Sequence, residues 1–485
     1  MHVLQAREVS IKIGNQSVLD HLSFTIEPGN QYAVTGPSGS GKTLLLQAIA
    51  GMRSYTGSIE KGQAGGKVVL IEQQHHFKNL SNTSTFYYQQ RFNSSDSEDA
   101  ITVAEDLQKN ILVNQDPAYA SAEMQRIIRM LHLEDLLGSK LIKLSNGENK
   151  RLQIAKALLR HPSLLLLDKP FTGLDTETRA ALSQLLEEIT RNGLHIVLVT
   201  TEHQVPSFIT HVLQLDLQGK GLVQKVADWK AAQAAAPHAN RFVPDEQLLS
   251  ALLAQQSHPA FGSIVRMNRV HVQYNQKVIL DNINWEVKEG EKWSLSGPNG
   301  AGKSTLLSLV NADNPQAYAN DISLFGRRRG TGETIWDIKK KTGYVSPELH
   351  LFFEQSVSCF EVVASGLFDT IGLFRVLHPE QEKAVVKWMT LLKVQHLRGK
   401  LLKQASLSEQ RLVLLTRALV KNPPLLILDE PCQGLDEDQV IFFRSMIDEI
   451  CTRSNKTLIY VSHYPHEIPA CVNQFIRLEG GRRVV

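Results

Sequence analysis

GPSGSGKT, at Gly36–Thr43, and GPNGAGKS, at Gly297–Ser304, are two copies of one pattern, G-x-x-x-x-G-K-[ST]. Each follows a short apolar run (QYAVT; KWSLS) and opens a helix-like run (LLLQAIA; TLLSLV), the strand–loop–helix context that makes the pattern a phosphate site. The loops Gly36, Pro37, Ser38, Gly39, Ser40, Gly41 and Gly297, Pro298, Asn299, Gly300, Ala301, Gly302 would let backbone crowd around phosphates at a helix N-terminus. Lys42 and Lys303 would reach the β- and γ-phosphates of a nucleotide; Thr43 and Ser304, the latter followed by Thr305, would hold Mg²⁺.

The repetition extends outward from these loops. LLLLDKP, with Asp168, recurs as LLILDEP, with Asp429. Lys42 and Lys303 lie 261 positions apart, and so do Asp168 and Asp429, so the chain is two copies of one α/β domain. Residues 1–224 read as the first copy and 263–485 as the second. Between them, residues 225–262 are rich in Ala and Gln, lack a strand pattern and read as a short, charge-neutral helical linker.

Composition excludes several classes. The 485 residues are 42% hydrophobic and 21% charged, enough chain for two cores. No apolar stretch approaches the ~18 residues that span a bilayer, and the opening MHVLQAREVSIKIG lacks the apolar core of a secretory leader. The expectation is a cytoplasmic protein that meets a membrane only through a partner. A net charge of +3 is too balanced to indicate nucleic acid by bulk charge. Cys359, Cys432, Cys451 and Cys471 form no CxxC pair, so neither a zinc module nor a disulfide framework is expected.

Between the landmarks of the first copy sits LSNGE, Leu144–Glu148, followed by the helical KRLQIAKALL, and each copy carries GLD, at Gly173–Asp175 and Gly434–Asp436. This set resembles the ATP-binding-cassette (ABC) ATPases. The resemblance implies two P-loop cassettes, each with a RecA-like core, an antiparallel β subdomain and a helical subdomain. It also implies a head-to-tail pseudo-dimer that binds two ATP, each between one P-loop and the other cassette's signature. For the site on the second P-loop it implies Asp429 as metal partner and Glu430 as general base. His463 would be the switch histidine at the γ-phosphate, Tyr274 the adenine-stacking aromatic, and Ser145, Gly147 and Glu148 the facing signature. A carboxylate at 430 is the chemistry that activating a water requires.

The first site keeps Lys42, Thr43 and Asp168 but departs elsewhere. The base position is Lys169, an ammonium that cannot accept a proton at pH 7. The switch position is read as Thr201, with His203 nearby as a substitute or as a solvated loop residue. The adenine position is Ile13, and the facing signature, Ala405-Ser406-Leu407-Ser408-Glu409, has Ser408 in place of glycine. In one respect the asymmetry reverses. Gln73 or Gln74 supplies the first copy's metal-linking glutamine, whereas Pro347 stands there in the second, with Glu348 as a potential stand-in. Weaker signals are Arg327–Arg329 and Lys339–Lys341, an acidic-partner patch or plain solvated surface. His75–His76 point apart in a strand, and 93–99 reads as a polar loop.

DISLFGRRRGTGETIWDIKKKTGYVS, DEPCQGLD and VSHYPHEIPAC in the second half are similar to the ModF group of tandem ATPases, also called photorepair proteins and named for their association with molybdate-transport genes. The resemblance implies the ATP-binding component of a molybdate-type transport system, with membrane permease subunits on other chains. The competing expectation is a soluble ATPase acting on nucleic acid or a ribosome. The neutral linker and the cysteine spacing count against the basic-linker and zinc-module forms of that class.

Overall fold

The computed structural model describes residues 2–14, 16–62, 67–72, 101–109, 117–141, 144, 146–235, 241–254, 261–274, 277–346, 349–354 and 356–484. The chain forms two compact units, Met1–His238 and Ala239–Val485.

The first unit runs through β1 (Leu4–Ile13), β2 (Gln16–Ile26), β3 (Tyr32–Thr35), β4 (Thr56–Lys61), β5 (Val68–Ile71), β6 (Leu164–Asp168), β7 (His195–Val199), β8 (His211–Leu215) and β9 (Gly221–Lys225). Strands β2-β1-β4 make an antiparallel sheet, with Leu4 opposite Ile26. The larger sheet has the order β5-β6-β7-β3-β8-β9, parallel except for β9 at its edge. The all-apolar LLLL of β6 is explained by this placement: a parallel strand covered on both faces has no solvent side, so alternation disappears and all five of its residues are buried. One core lies between the antiparallel sheet and helix Lys42–Ile49. The other joins the parallel sheet to helices Val103–Gln108, Pro117–Met130 and Asn146–Leu158.

The second unit repeats this plan with β10 (Val265–Tyr274), β11 (Lys277–Val287), β12 (Lys292–Ser296), β13 (Asp321–Leu324), β14 (Arg327–Arg328), β15 (Thr342–Val345), β16 (Leu425–Asp429), β17 (Thr457–Val461), β18 (Gln474–Glu479) and β19 (Arg482–Arg483). Its sheets order as β11-β10-β13-β14 and β15-β16-β17-β12-β18-β19. Thus β3 and β12, which feed the glycine loops from their carboxyl ends, each sit in mid-sheet between two parallel strands from later in the chain, β7 and β8 or β17 and β18. The loops therefore open at the crevice where α/β sheets bind ligands.

The segment read as a linker is largely absorbed into the two units, which divide within it. Lys225 ends β9, and helix Val226–Ala235 buries Trp229 in the first unit's core. Helix Glu246–Leu253, capped by Asp245, buries Leu249 and Leu252 in the second unit's core beside Phe242. The sequence pattern misses this because a short run such as EQLLSALL shows an apolar face without showing which core it covers.

Among the described residues no helix is long and apolar enough to cross a membrane. In the two basic runs, three side chains have acidic partners nearby: buried Arg329 pairs with Glu333 at 2.7 Å, Arg328 lies 3.6 Å from Asp321, and Lys339 lies 2.7 Å from Asp313. Gln73, Gln74, His75, His76, residues 93–99, Ser145, Pro347 and Glu348 lie outside the described residues.

Candidate active site

Both glycine loops are built alike. Gly36 has φ +128° and Gly297 φ +142°. A Cβ on Gly36 would lie 2.1 Å from the Leu215 carbonyl oxygen, and one on Gly297 2.2 Å from that of Leu478, so neither loop accepts a side chain at its start. Helices Lys42–Ile49 and Lys303–Val310 begin after left-handed Gly41 and Gly302 and have no side-chain cap. Their first-turn N–H groups are thereby left available to an anion, which the helix dipole favours.

The lysines fold over their loops. Lys42 Nζ donates to the carbonyl oxygens of Gly36 and Pro37 at 2.6 Å each, and Lys303 Nζ to those of Gly297 at 2.7 Å and Pro298 at 3.0 Å. Ser40 and Ala301 are buried beneath the loops, Gly39, Asn299 and Gly300 are exposed, and Ser38 is half-buried. In the first unit Thr43 Oγ1 donates to Asp168 Oδ2 at 2.8 Å, joining the loop to the end of β6. The other oxygen, Asp168 Oδ1, is buried with no hydrogen-bond partner among the described residues. A hydroxyl beside an unsatisfied carboxylate oxygen is a donor set that fits Mg²⁺. Burial pushes the Asp168 carboxyl upward, while the Thr43 hydrogen bond and the charges of Lys169, Lys150 and Lys42 favour its anion. In the second unit Ser304, exposed, and Asp429, half-buried, occupy the corresponding places, and Thr305 lies one step further into the helix.

The residue after each aspartate adopts the left-handed conformation: φ is +46° at Lys169 and +44° at Glu430. Neither is a residue that favours this region, and such strain recurs at functional sites. The two backbones are held alike, Lys169 N–H donating to Val199 O at 3.1 Å and Glu430 N–H to Val461 O at 2.9 Å. What they carry differs. Glu430 Oε1 lies 2.9 Å from His463 Nε2, and its Oε2 accepts from Gln433 Nε2 at 3.3 Å. Strand register places Thr201 opposite His463 in the plan, because Asp168 pairs with Val199 and Asp429 with Val461, two residues before each. His203 is exposed on the following turn.

Ile13 and Tyr274 occupy equivalent ends of β1 and β10, opposite Gln16 and Lys277. Both are exposed, and the Tyr274 hydroxyl accepts from Asn314 Nδ2 at 2.9 Å. The signature residues sit on equivalent helices. Gly147 is buried in the first turn of Asn146–Leu158, with half-buried Glu148 beside it. Ser406 caps Leu407–Leu419 through a reciprocal box with Glu409, the Ser406 N–H donating to Glu409 Oε2 at 2.6 Å.

Sequence reading missed two features. Lys150 Nζ donates to the Glu72 carbonyl at 3.3 Å, just past β5, and Arg411 Nη1 to the Ser346 carbonyl at 3.3 Å, just past β15. Each signature helix thus carries a buried cation that reaches the end of the strand beside the aspartate strand. The shared 261-residue offset between Lys150 and Arg411 was the available signal. The second feature is the partner of the signature glycine. A Cβ on Gly147 would lie 2.5 Å from Thr178 Cγ2, whereas Ser408 Oγ accepts from Gln439 Nε2 at 3.0 Å.

Two phosphate loops, each on a mid-sheet strand and followed by an aspartate strand and a signature helix, define a tandem ABC-type ATPase. The chain belongs to the ABC transporter family, whose model matches residues 19–172 and 280–433. It is 34% identical to the ABC transporter ATP-binding protein ModF of Escherichia coli (strain K12), over 99% of this chain and 97% of that one. It is 31% identical to an uncharacterized ABC transporter ATP-binding protein of Schizosaccharomyces pombe, over 98% of this chain and 99% of the relative. An archaeal ribosome recycling factor, aABCE1, solved with the ribosomal stalk protein aP1, shares the fold at a TM-score of 0.57 and 17% identity, covering 98% of this chain and 89% of that one.

Proposed function

We propose that this ATPase hydrolyses ATP at its second P-loop and holds ATP at its first. It would serve as the ATP-binding component of a molybdate-type transport system. One observation carries the asymmetry: the same left-handed strand end presents Glu430, 2.9 Å from His463, in one unit and Lys169 in the other. At the second site Lys303 binds the phosphates, while Ser304 and Asp429 would hold the Mg²⁺ that neutralises their charge. Glu430 orients a water and takes its proton, and His463 contacts the γ-phosphate. Tyr274 offers a ring to the adenine. At the first site Lys42 binds the phosphates, but no carboxylate stands where the water must be activated. Similarity to ABC transporter ATP-binding proteins supports an ATP-binding role beside a transporter. The local pairing of Arg328, Arg329 and Lys339 leaves the nucleic-acid reading with less support.

Glu430→Gln should lower kcat about 10²–10⁴-fold, and Lys303→Ala should abolish single-turnover cleavage while Lys42→Ala spares that chemical step. Equal losses from both lysine variants would overturn the asymmetry. Affinity capture of the Glu430→Gln chain in ATP should bring down membrane permease subunits. Ribosomal proteins or nucleic acid in their place would replace the transport reading with the soluble one.

A further inference from the structure

A cavity of about 270 Å³ opens in the second unit between the N-terminal halves of helices Leu407–Leu419 and Glu437–Arg453. Its wall is mostly apolar, with Leu412 from the signature helix and Phe442 and Phe443 from the helix after the GLD turn. Ser408, Gln439 and Lys393 supply the polar groups. An apolar cavity of about 150 Å³ takes a benzene ring, so this one has room for a ring and a short chain.

The first unit bridges the equivalent gap with its own side chain. Arg151, 261 residues before Leu412, donates from Nη1 to the carbonyl oxygens of Leu131 at 3.3 Å and His132 at 3.1 Å. His132 and Lys393 are also 261 residues apart and share a left-handed backbone, φ +50° and +59°. Leu412 has no group with which to make that bridge, and the space between it and Lys393 stays open. The polar groups left there favour one sign of charge. Gln439 Nε2 gives one of its two N–H groups to Ser408 Oγ at 3.0 Å and keeps the other. The Lys393 ammonium lies 5.4 Å from the centre of the Phe442 ring. Among the described residues lining the cavity it is the one charged side chain, with no carboxylate beside it to hold a cation or repel an anion.

We infer that the second unit carries a small-molecule site here, for an organic anion with an aromatic body: the ring between Leu412 and Phe443, the anionic head at Lys393 and Gln439. The site does not depend on which P-loop hydrolyses ATP.

The test titrates the full chain with phenylpropionate, phenylpropanol and phenylpropylamine, which share a body and differ in the head, by saturation-transfer NMR. The acid should saturate at millimolar concentration, as its few atoms permit. The alcohol should bind at least about threefold more weakly, and the amine more weakly still. Lys393→Met, at an exposed residue, should bring acid and alcohol to within about twofold of each other. Leu412→Arg, which installs the first unit's bridge, should abolish binding of all three while the chain keeps its melting temperature. Equal affinities for the three probes, or an acid preference that Lys393→Met leaves intact, overturns the inference. So does binding that survives Leu412→Arg, or no saturable binding to the native chain. If Leu412→Arg melts early, the Lys393→Met comparison decides alone.

Discussion

At position 147 a Cβ would press on a methyl group, where position 408 carries a hydroxymethyl group, and the cause is the side chain facing each. Thr178 Cγ2 stands 2.5 Å from where a Cβ at 147 would be, while Gln439, 261 residues after Thr178, reaches to the Ser408 hydroxyl at 3.0 Å. Each position thus fits the side chain that faces it. Gly147→Ser alone should destabilise the first unit by about 1–3 kcal/mol. The double variant Gly147→Ser/Thr178→Gln should recover most of that loss, as denaturant midpoints would show. Glycine and serine at the signature were legible from the sequence, because that motif is local. Their partners were not, since Gly147 and Thr178 are 31 positions apart and meet only when two helices pack. Lys169 was legible because it abuts Asp168; its left-handed backbone, φ +46°, was not.

Helices and strands were readable wherever one stretch carries the whole signal, as in β6 and β16, whose unbroken apolar runs declare strands covered on both faces. Attachment was harder. Helix Glu246–Leu253 is tied to the second unit by the Phe242 N–H donating to Ser445 Oγ at 2.9 Å, by Phe242 packed edge-on against Phe442 at 5.5 Å, and by Arg453 donating to Glu246 at 2.9 Å. None of these partners is near in sequence. The start of β17 shows a related economy. Lys456, buried just before it, donates to Asn422 Oδ1 at 2.6 Å and to the Pro423 carbonyl at 2.8 Å. Burial pushes its ammonium down to about 8 from an ordinary 10.5. Between those values the unfolded chain still binds a proton that the folded chain has released, so stability rises with pH across that window. Compared with Lys456→Met, the native chain should gain up to about 1.4 kcal/mol per pH unit from pH 8 to 10, read from urea unfolding of the second unit. A flat difference across that range would show that the lysine is not desolvated.

At the scale of the molecule, the constant offset of 261 residues exposes the duplication before any coordinate is known, because both copies keep their loop and aspartate strand without a net insertion between them. The order of strands in each sheet was not legible, since it depends on which edges pair rather than on any local pattern. The proposed division of labour between the two P-loops has a stoichiometric consequence. A rapid-quench experiment on the chain preloaded with two ATP should show a burst of one ADP per chain, with the second nucleotide recovered intact; two would contradict the division of labour. The left-handed turn at Lys169 carries a further consequence. Its backbone shares the pose of Glu430, the proposed base, and lysine and glutamate codons differ by a single purine transition. The first site is therefore one point mutation from regaining a carboxylate already in position, which makes this chain a short path on which laboratory selection can ask whether two working engines serve a cell better than one.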